Sequence, residues 1–222
     1  ARSYSQSLER LCSWGFVVIA NQEQEDCGVV NIGNPIESMQ SAGKFRYCVD
    51  SSVMAGNIKK NLHYLASRSD VNPDALALIG HSMGSLVALA LAARYPERAR
   101  SLTLIGTAVP MAVHKALLSN AASDDHGAID MLTYWGYSKA AQLGGNENPG
   151  MWMVGGTLRL LEQSKDQVIH TGLDACSRYD AGIDHAAAVR CPTLFILGRR
   201  DIMTPARTGE KLAKTVAGSK VA

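Results

Sequence analysis

A mostly parallel β-sheet covered on both faces by helices is the architecture that the 222 residues predict. Three observations point there. Four short runs, "FVVIA" (16–20), "LALI" (76–79), "LTLI" (102–105) and "TLFIL" (193–197), are apolar throughout rather than alternating, as in strands buried on both faces. Segments of helical pattern separate them. In the stretch "LALIGHSMGSLVALA", Leu76 to Ala90, a buried run passes through Gly-His-Ser-Met-Gly directly into an alanine-rich segment.

Along the chain, "SYSQSLERLCSW" (3–14) and "SSVMAGNIKKNLHYLASR" (51–68) pattern as amphipathic helices before the first and second runs. "SLVALALAARY" (85–95) is apolar almost all round, which suits a helix packed deep against the sheet, and it ends near Pro96. "ERARSLTLI" (97–105) then returns the chain to the third run, completing a compact β-α-β unit with right-handed crossover. Residues 107–189 are too long for a connection and show little strand character. Helical pieces are expected near 111–120, 127–135, 156–166 and 182–189, interrupted by "GGNENPG" (144–150). This predicts a helical lid inserted over one end of the sheet (107–189), with residues 1–106 and 190–222 forming the core.

Apolar residues make up 46% and charged residues 19%, as in an ordinary soluble globular chain. The net charge of +2 comes without a basic stripe, which argues against nucleic acid as a partner. Arg199-Arg200 and Lys59-Lys60 are isolated pairs and read as solvated surface charge. No apolar run reaches the length of a membrane span, and the first ten residues lack a signal-peptide core. Cys12, Cys27, Cys48, Cys176 and Cys191 form no CxxC pair and read mostly as reduced thiols, with a Cys27–Cys48 bridge left open. The six histidines show no HExxH or HxH spacing, so a metal site is not expected, and the serine chemistry derived below needs no cofactor.

The Gly-x-Ser-x-Gly turn carries the chemistry. A serine hydroxyl is a poor nucleophile; it must be exposed, lose its proton during attack, and lie near donors for the oxyanion. A sharp strand-to-helix turn lifts Ser82 above the sheet edge in strained backbone. Gly80 and Gly84, lacking Cβ atoms, let strand and helix approach closely. The Met83 N–H sits at the positive end of the following helix, where it can face a developing negative charge. The plainer alternative is a glycine-bounded turn with an incidental serine, but its setting between a buried strand and a helix favours the functional reading.

These residues resemble the α/β-hydrolase superfamily, particularly bacterial esterase-like members with a helical lid. "IGHSMGSLVALALAARYPERARSLTLIGTA" is similar to that family's nucleophile strand, helix and next strand, and "VRCPTLFILGRRDIMTPA" to its acid strand. The resemblance implies Ser82 as nucleophile and Asp201 as the acid that orients a histidine. Serine precedes acid, and both follow the carboxyl ends of expected strands.

Two parts of the family pattern have no counterpart in the sequence. Nothing before Phe16 supplies the strand and His-Gly oxyanion loop that the family places between the strands resembling "FVVIA" and "LALI". No histidine follows Asp201, and "GSKVA" stands where the family's last strand would be starting. The expectation is a longer protein of which these residues are part. The other histidines, His63, His81, His114, His126, His170 and His185, read as structural or surface groups.

The lid segment carries Met111, Met131, Trp135, Met151, Trp152 and Met153. Of these, Met131, Trp135 and Trp152 are the candidates for an acyl- or aromatic-binding wall; sealing the lid onto the sheet is the competing role. The resulting expectation is a serine hydrolase that cleaves a small-molecule carboxylic ester through an acyl-enzyme. Alternatives left open are transfer of the acyl group to another acceptor (acyltransferase or perhydrolase), carbon–carbon bond hydrolysis, and a binding protein that has lost the histidine. Haloalkane chemistry is disfavoured because it requires an aspartate at position 82.

Overall fold

The structure, a computed structural model, describes residues 76–145, 150 and 152–222. The "FVVIA" run, both helices expected before residue 70, the strand-order gap beside them and Met151 lie outside the described residues.

β1 (Leu76–His81), β2 (Ala99–Ile105), β3 (Thr193–Ile196) and β4 (Lys220–Val221) form one parallel sheet in the order β1-β2-β3-β4. Leu78 lies opposite Leu102 and Leu104 opposite Phe195, so apolar side chains repeat across the strands. "GSKVA" does start a strand: Lys220 pairs with Leu194. α1 (Met83–Arg94) connects β1 to β2 and turns Leu86, Leu89 and Ala92 onto the sheet. Leu89, Leu104 and Phe195 have no exposed surface, and full burial of each contributes about 2 kcal/mol. α8 (Ala206–Ala213) adds Leu212, fully enclosed in the same core. Among the described residues β1 is an edge strand, and Ile79 is 58% exposed there, so the two-sided burial expected of this run is not met by these residues alone.

Between β2 and β3 the chain is helical: α2 (Lys115–Ala122), α3 (His126–Gly136), α4 (Lys139–Gln142), α5 (Met153–Leu161), α6 (Val168–Arg178) and α7 (Gly182–Ala188). α2 starts later than its apolar pattern suggests, because His114 caps it: Ala116 N–H donates to its Nδ1 at 3.3 Å. α6 is missed by pattern reading. Val168, Ile169 and Thr171 are β-branched and Gly172 is flexible, so intrinsic helix preference is weak. Packing overrides it: Ile169 and Leu173 join a cluster around Leu117, Ala121 and Ala128, while Cys176 enters the main core.

Polar ties hold these helices together. The N–H of Gln167 donates to Asp124 Oδ1 at 2.7 Å and its side-chain amide to Oδ2 at 2.7 Å, and these bonds hold the Asp124 carboxyl below the usual range. His126, which opens α3, lies 3.0 Å from Glu162 and 3.2 Å from Asp130. Hydrogen bonds first to Glu162 and then to Asp130 raise its pKa above the ordinary histidine value. A raised folded pKa stabilises the fold fully below the unfolded value, near about 6.5, and that contribution is lost as pH rises through the folded pKa. The imidazole resonances of His126 should therefore titrate above the free-histidine range in an NMR pH series, and Glu162→Gln should bring the midpoint back toward it. An unshifted midpoint in the native protein would remove this tie.

Candidate active site

At the end of β1 the backbone turns sharply. Ser82 has φ 51° and ψ −123°, a region that costs a non-glycine residue on the order of 1–3 kcal/mol. Its peptide is pinned on both sides: Ser82 N–H donates to Ile105 O at 2.9 Å, and Ser82 O accepts from Ser85 N–H at 2.8 Å and from Ser85 Oγ at 2.5 Å. Ser85 is fully buried, and its hydroxyl has that one structural task. Pattern reading missed it because a buried serine in an apolar helix gives no signal of its own.

The close approach at this turn is carried by Gly80 alone. A Cβ on Gly80 would stand 2.3 Å from Gly84 O and 2.7 Å from Ser85 Cα, inside the helix backbone. A Cβ on Gly84 would meet nothing within 4 Å, which corrects the expectation that both glycines are required by space. Met83 N–H opens α1, and as the first amide of the helix it has no intrahelical acceptor.

Asp201 follows β3 in a tight turn that folds the chain back onto its carboxylate. Oδ1 accepts from Met203 N–H and Thr204 N–H, both at 2.9 Å, and Oδ2 from Thr204 Oγ1 at 2.7 Å. Thr204 is 4% exposed, so the carboxylate is held by a rigid partner rather than a solvent-borne one. Asp-x-x-Thr is the local signal for this Asx-type turn, legible only once the aspartate is singled out. Gly106, at the end of β2, has φ 54°, which favours glycine, and a Cβ there would crowd Thr204 Oγ1 at 3.2 Å, the hydroxyl that holds Asp201.

Ser82 and Asp201 line one cavity of about 550 Å³. His81 and Thr204 border it from the sheet side, and Trp135, Tyr137 and Ser138 from the end of α3. Trp135 is held edge-on to His114 with ring centroids 5.5 Å apart, and Tyr137 Oη hydrogen-bonds Thr157 Oγ1 at 2.7 Å, tying this wall to α5. Of the three apolar candidates, only Trp135 reaches the cavity. Met131 packs in the cluster with Leu132 and Leu173, where its sulfur accepts from Asn120 Nδ2 at 3.8 Å. Trp152 is 70% exposed and covers Gly155. Arg199 and Arg200, read from the sequence as solvated surface charge, are exposed but border the cavity. Of the described histidines, His114, His126 and His185 are engaged elsewhere: His185 Nδ1 lies 2.6 Å from Tyr179 Oη. His81 lines the cavity.

Comparison with known proteins places this geometry in context. A family model described as "alpha/beta hydrolase fold" matches residues 57–128. A pimeloyl-[acyl-carrier protein] methyl ester esterase of Neisseria meningitidis serogroup B is 29% identical over 165 residues, covering 71% of this chain and 62% of that protein. The chain thus spans less than two thirds of the length of that relative. Among solved structures, the enol-lactonase of Burkholderia xenovorans LB400 superposes with a TM-score of 0.62 at 18% identity, covering 79% of this chain and 64% of the other. An esterase of Exiguobacterium antarcticum gives 0.59 at 19% identity, with 78% and 65% covered. A hydrolase of Pseudomonas aeruginosa gives 0.59 at 21% identity, with 80% and 63% covered.

Proposed function

From the α/β-hydrolase fold of this chain, we propose that it hydrolyses carboxylic esters through a serine acyl-enzyme, with Ser82 as nucleophile and Asp201 as the acid. One observation carries the reading: Ser82, in strained backbone between β1 and α1, shares a cavity with a carboxylate held by three donors. The esterase similarity of the N. meningitidis relative supports the substrate class.

In this mechanism Ser82 Oγ attacks the ester carbonyl while an imidazole oriented by Asp201 takes its proton. The carbonyl oxygen becomes an oxyanion, and the unsatisfied Met83 N–H is placed to donate to it. The carbon–oxygen bond to the alcohol breaks as the imidazolium returns the proton to that oxygen. Water then adds to the acyl-enzyme by the same proton route and frees the acid and Ser82. The helices between β2 and β3 act as a lid, with Trp135 and Tyr137 as the wall above the serine.

A fluorophosphonate probe tests the nucleophile directly. The protein should label stoichiometrically, with the adduct mapped by peptide mass spectrometry to Ser82. Labelling elsewhere, or saturable ligand binding with neither labelling nor turnover, would support the binding-protein alternative instead. Asp201→Asn addresses the acid. Its amide oxygen can still accept from Met203 and Thr204, so the turn should stay folded by circular dichroism, while kcat on a p-nitrophenyl ester falls by about 10³–10⁴ as the imidazole loses its orienting charge. A loss below tenfold would remove Asp201 from the mechanism.

A further inference from the structure

Arg199 and Arg200 present an unused positive charge to the cavity. Both line it beside Ser82, both are exposed, and neither belongs to any ion pair among the described residues. The nearest carboxylate in sequence, Asp201, does not need them. Its two oxygens already accept from Met203 N–H, Thr204 N–H and Thr204 Oγ1. Two polar groups at the wall have partners of their own, Tyr137 with Thr157 and Ser138 Oγ with the N–H of Ala141. Two unpaired guanidiniums at the rim of this cavity suit an anion, since the guanidinium fork matches the oxygens of a carboxylate or a phosphate.

Resting on the ester-hydrolase reading, we propose that the cavity selects esters carrying a second, anionic group, a carboxylate or phosphate, bound by Arg199 and Arg200 while the ester carbonyl lies at Ser82. The anion can belong to the acyl part or to the alcohol part of the ester. Because both arginines are solvent-facing, the preference is modest, about tenfold rather than the thousandfold of a buried pair.

Two substrate pairs test this and separate the two placements: monoethyl adipate against ethyl hexanoate for the acyl side, and 4-acetoxybutanoate against pentyl acetate for the alcohol side. The readout is the ratio of kcat/KM, anionic over neutral, within each pair. In the native protein at least one ratio should reach about ten at low ionic strength and decline with added salt. In the Arg199→Glu/Arg200→Glu double variant that ratio should fall at least tenfold, and Arg199→Lys/Arg200→Lys should restore part of it. Neutral esters turned over with both ratios at or below one, or a ratio unmoved by charge reversal, would overturn the subsite and leave the hydrolase reading standing. If no ester is turned over and Ser82 does not label, the hydrolase reading falls, and calorimetric titration of monoethyl adipate and 4-acetoxybutanoate decides the subsite separately. Binding of either that charge reversal weakens about tenfold upholds it, and no binding or equal binding overturns it.

Discussion

Ser82→Ala should lower kcat on a short p-nitrophenyl ester by about a millionfold, about 8 kcal/mol of barrier, with the fold intact. The size follows from the role proposed for the residue: without the Oγ no acyl-enzyme forms, and the imidazole and oxyanion donor then have no covalent step to assist. The same position allows a stability measurement that activity alone does not provide. At φ 51° the serine holds backbone that a glycine accepts freely. Ser82→Gly should therefore unfold at higher denaturant concentration, by about 1–2 kcal/mol, while being equally inactive. The entropy that glycine adds to the unfolded chain offsets part of this, about 0.5–1 kcal/mol, so a gain means that strain relief wins. An active Ser82→Ala protein would end the serine mechanism; a Ser82→Gly protein less stable than the native one would mean the turn is not strained.

Gly80→Ala should be the most damaging single methyl group in the described part of the molecule. Alanine is favoured over glycine within a strand by up to about 1 kcal/mol. Against this, the new Cβ would lie 2.3 Å from Gly84 O and 2.6 Å from Gly84 C, which are backbone atoms of α1 and cannot rotate away. Relief requires prising the helix from the strand at the turn that positions Ser82, so the net cost should be about 3 kcal/mol or more, with loss of activity even in the fraction that folds. Gly84→Ala is the matched control. Its Cβ meets nothing within 4 Å in the first turn of α1, so stability should hold or rise by up to about 1 kcal/mol. Urea midpoints of the two variants compare them directly, and equal midpoints would show that the approach of strand and helix is not the constraint.

The two glycines also show where sequence reading stops. A turn is local, so five consecutive residues suffice to announce it. Which of its two glycines is enclosed depends on how α1 lies across β1, and no pattern within the turn encodes that. β1, β2 and β3 were legible as unbroken apolar runs, whereas β4, two exposed residues at Lys220–Val221, carries no such run and was expected only from the family pattern. α6 was not legible, because Ile169 and Leu173 are helical through their partners rather than by preference. Among the large apolar side chains between β2 and β3 the residue types were equivalent, and packing separated them: Trp135 to the cavity, Met131 into the cluster, Trp152 to the surface.

The sequence by itself determined the sheet-and-helix alternation, the turn at Ser82 and the apolar segment that leads to Asp201, since each rests on residues adjacent in the chain. Only the tertiary structure brought those two positions to one cavity, through the parallel pairing of β1, β2 and β3, and only it set Arg199 and Arg200 beside them. The physical reason is the same in each case. Strand and turn preferences act over a few residues, whereas a shared cavity is set by sheet register and by which side chains the core has already claimed.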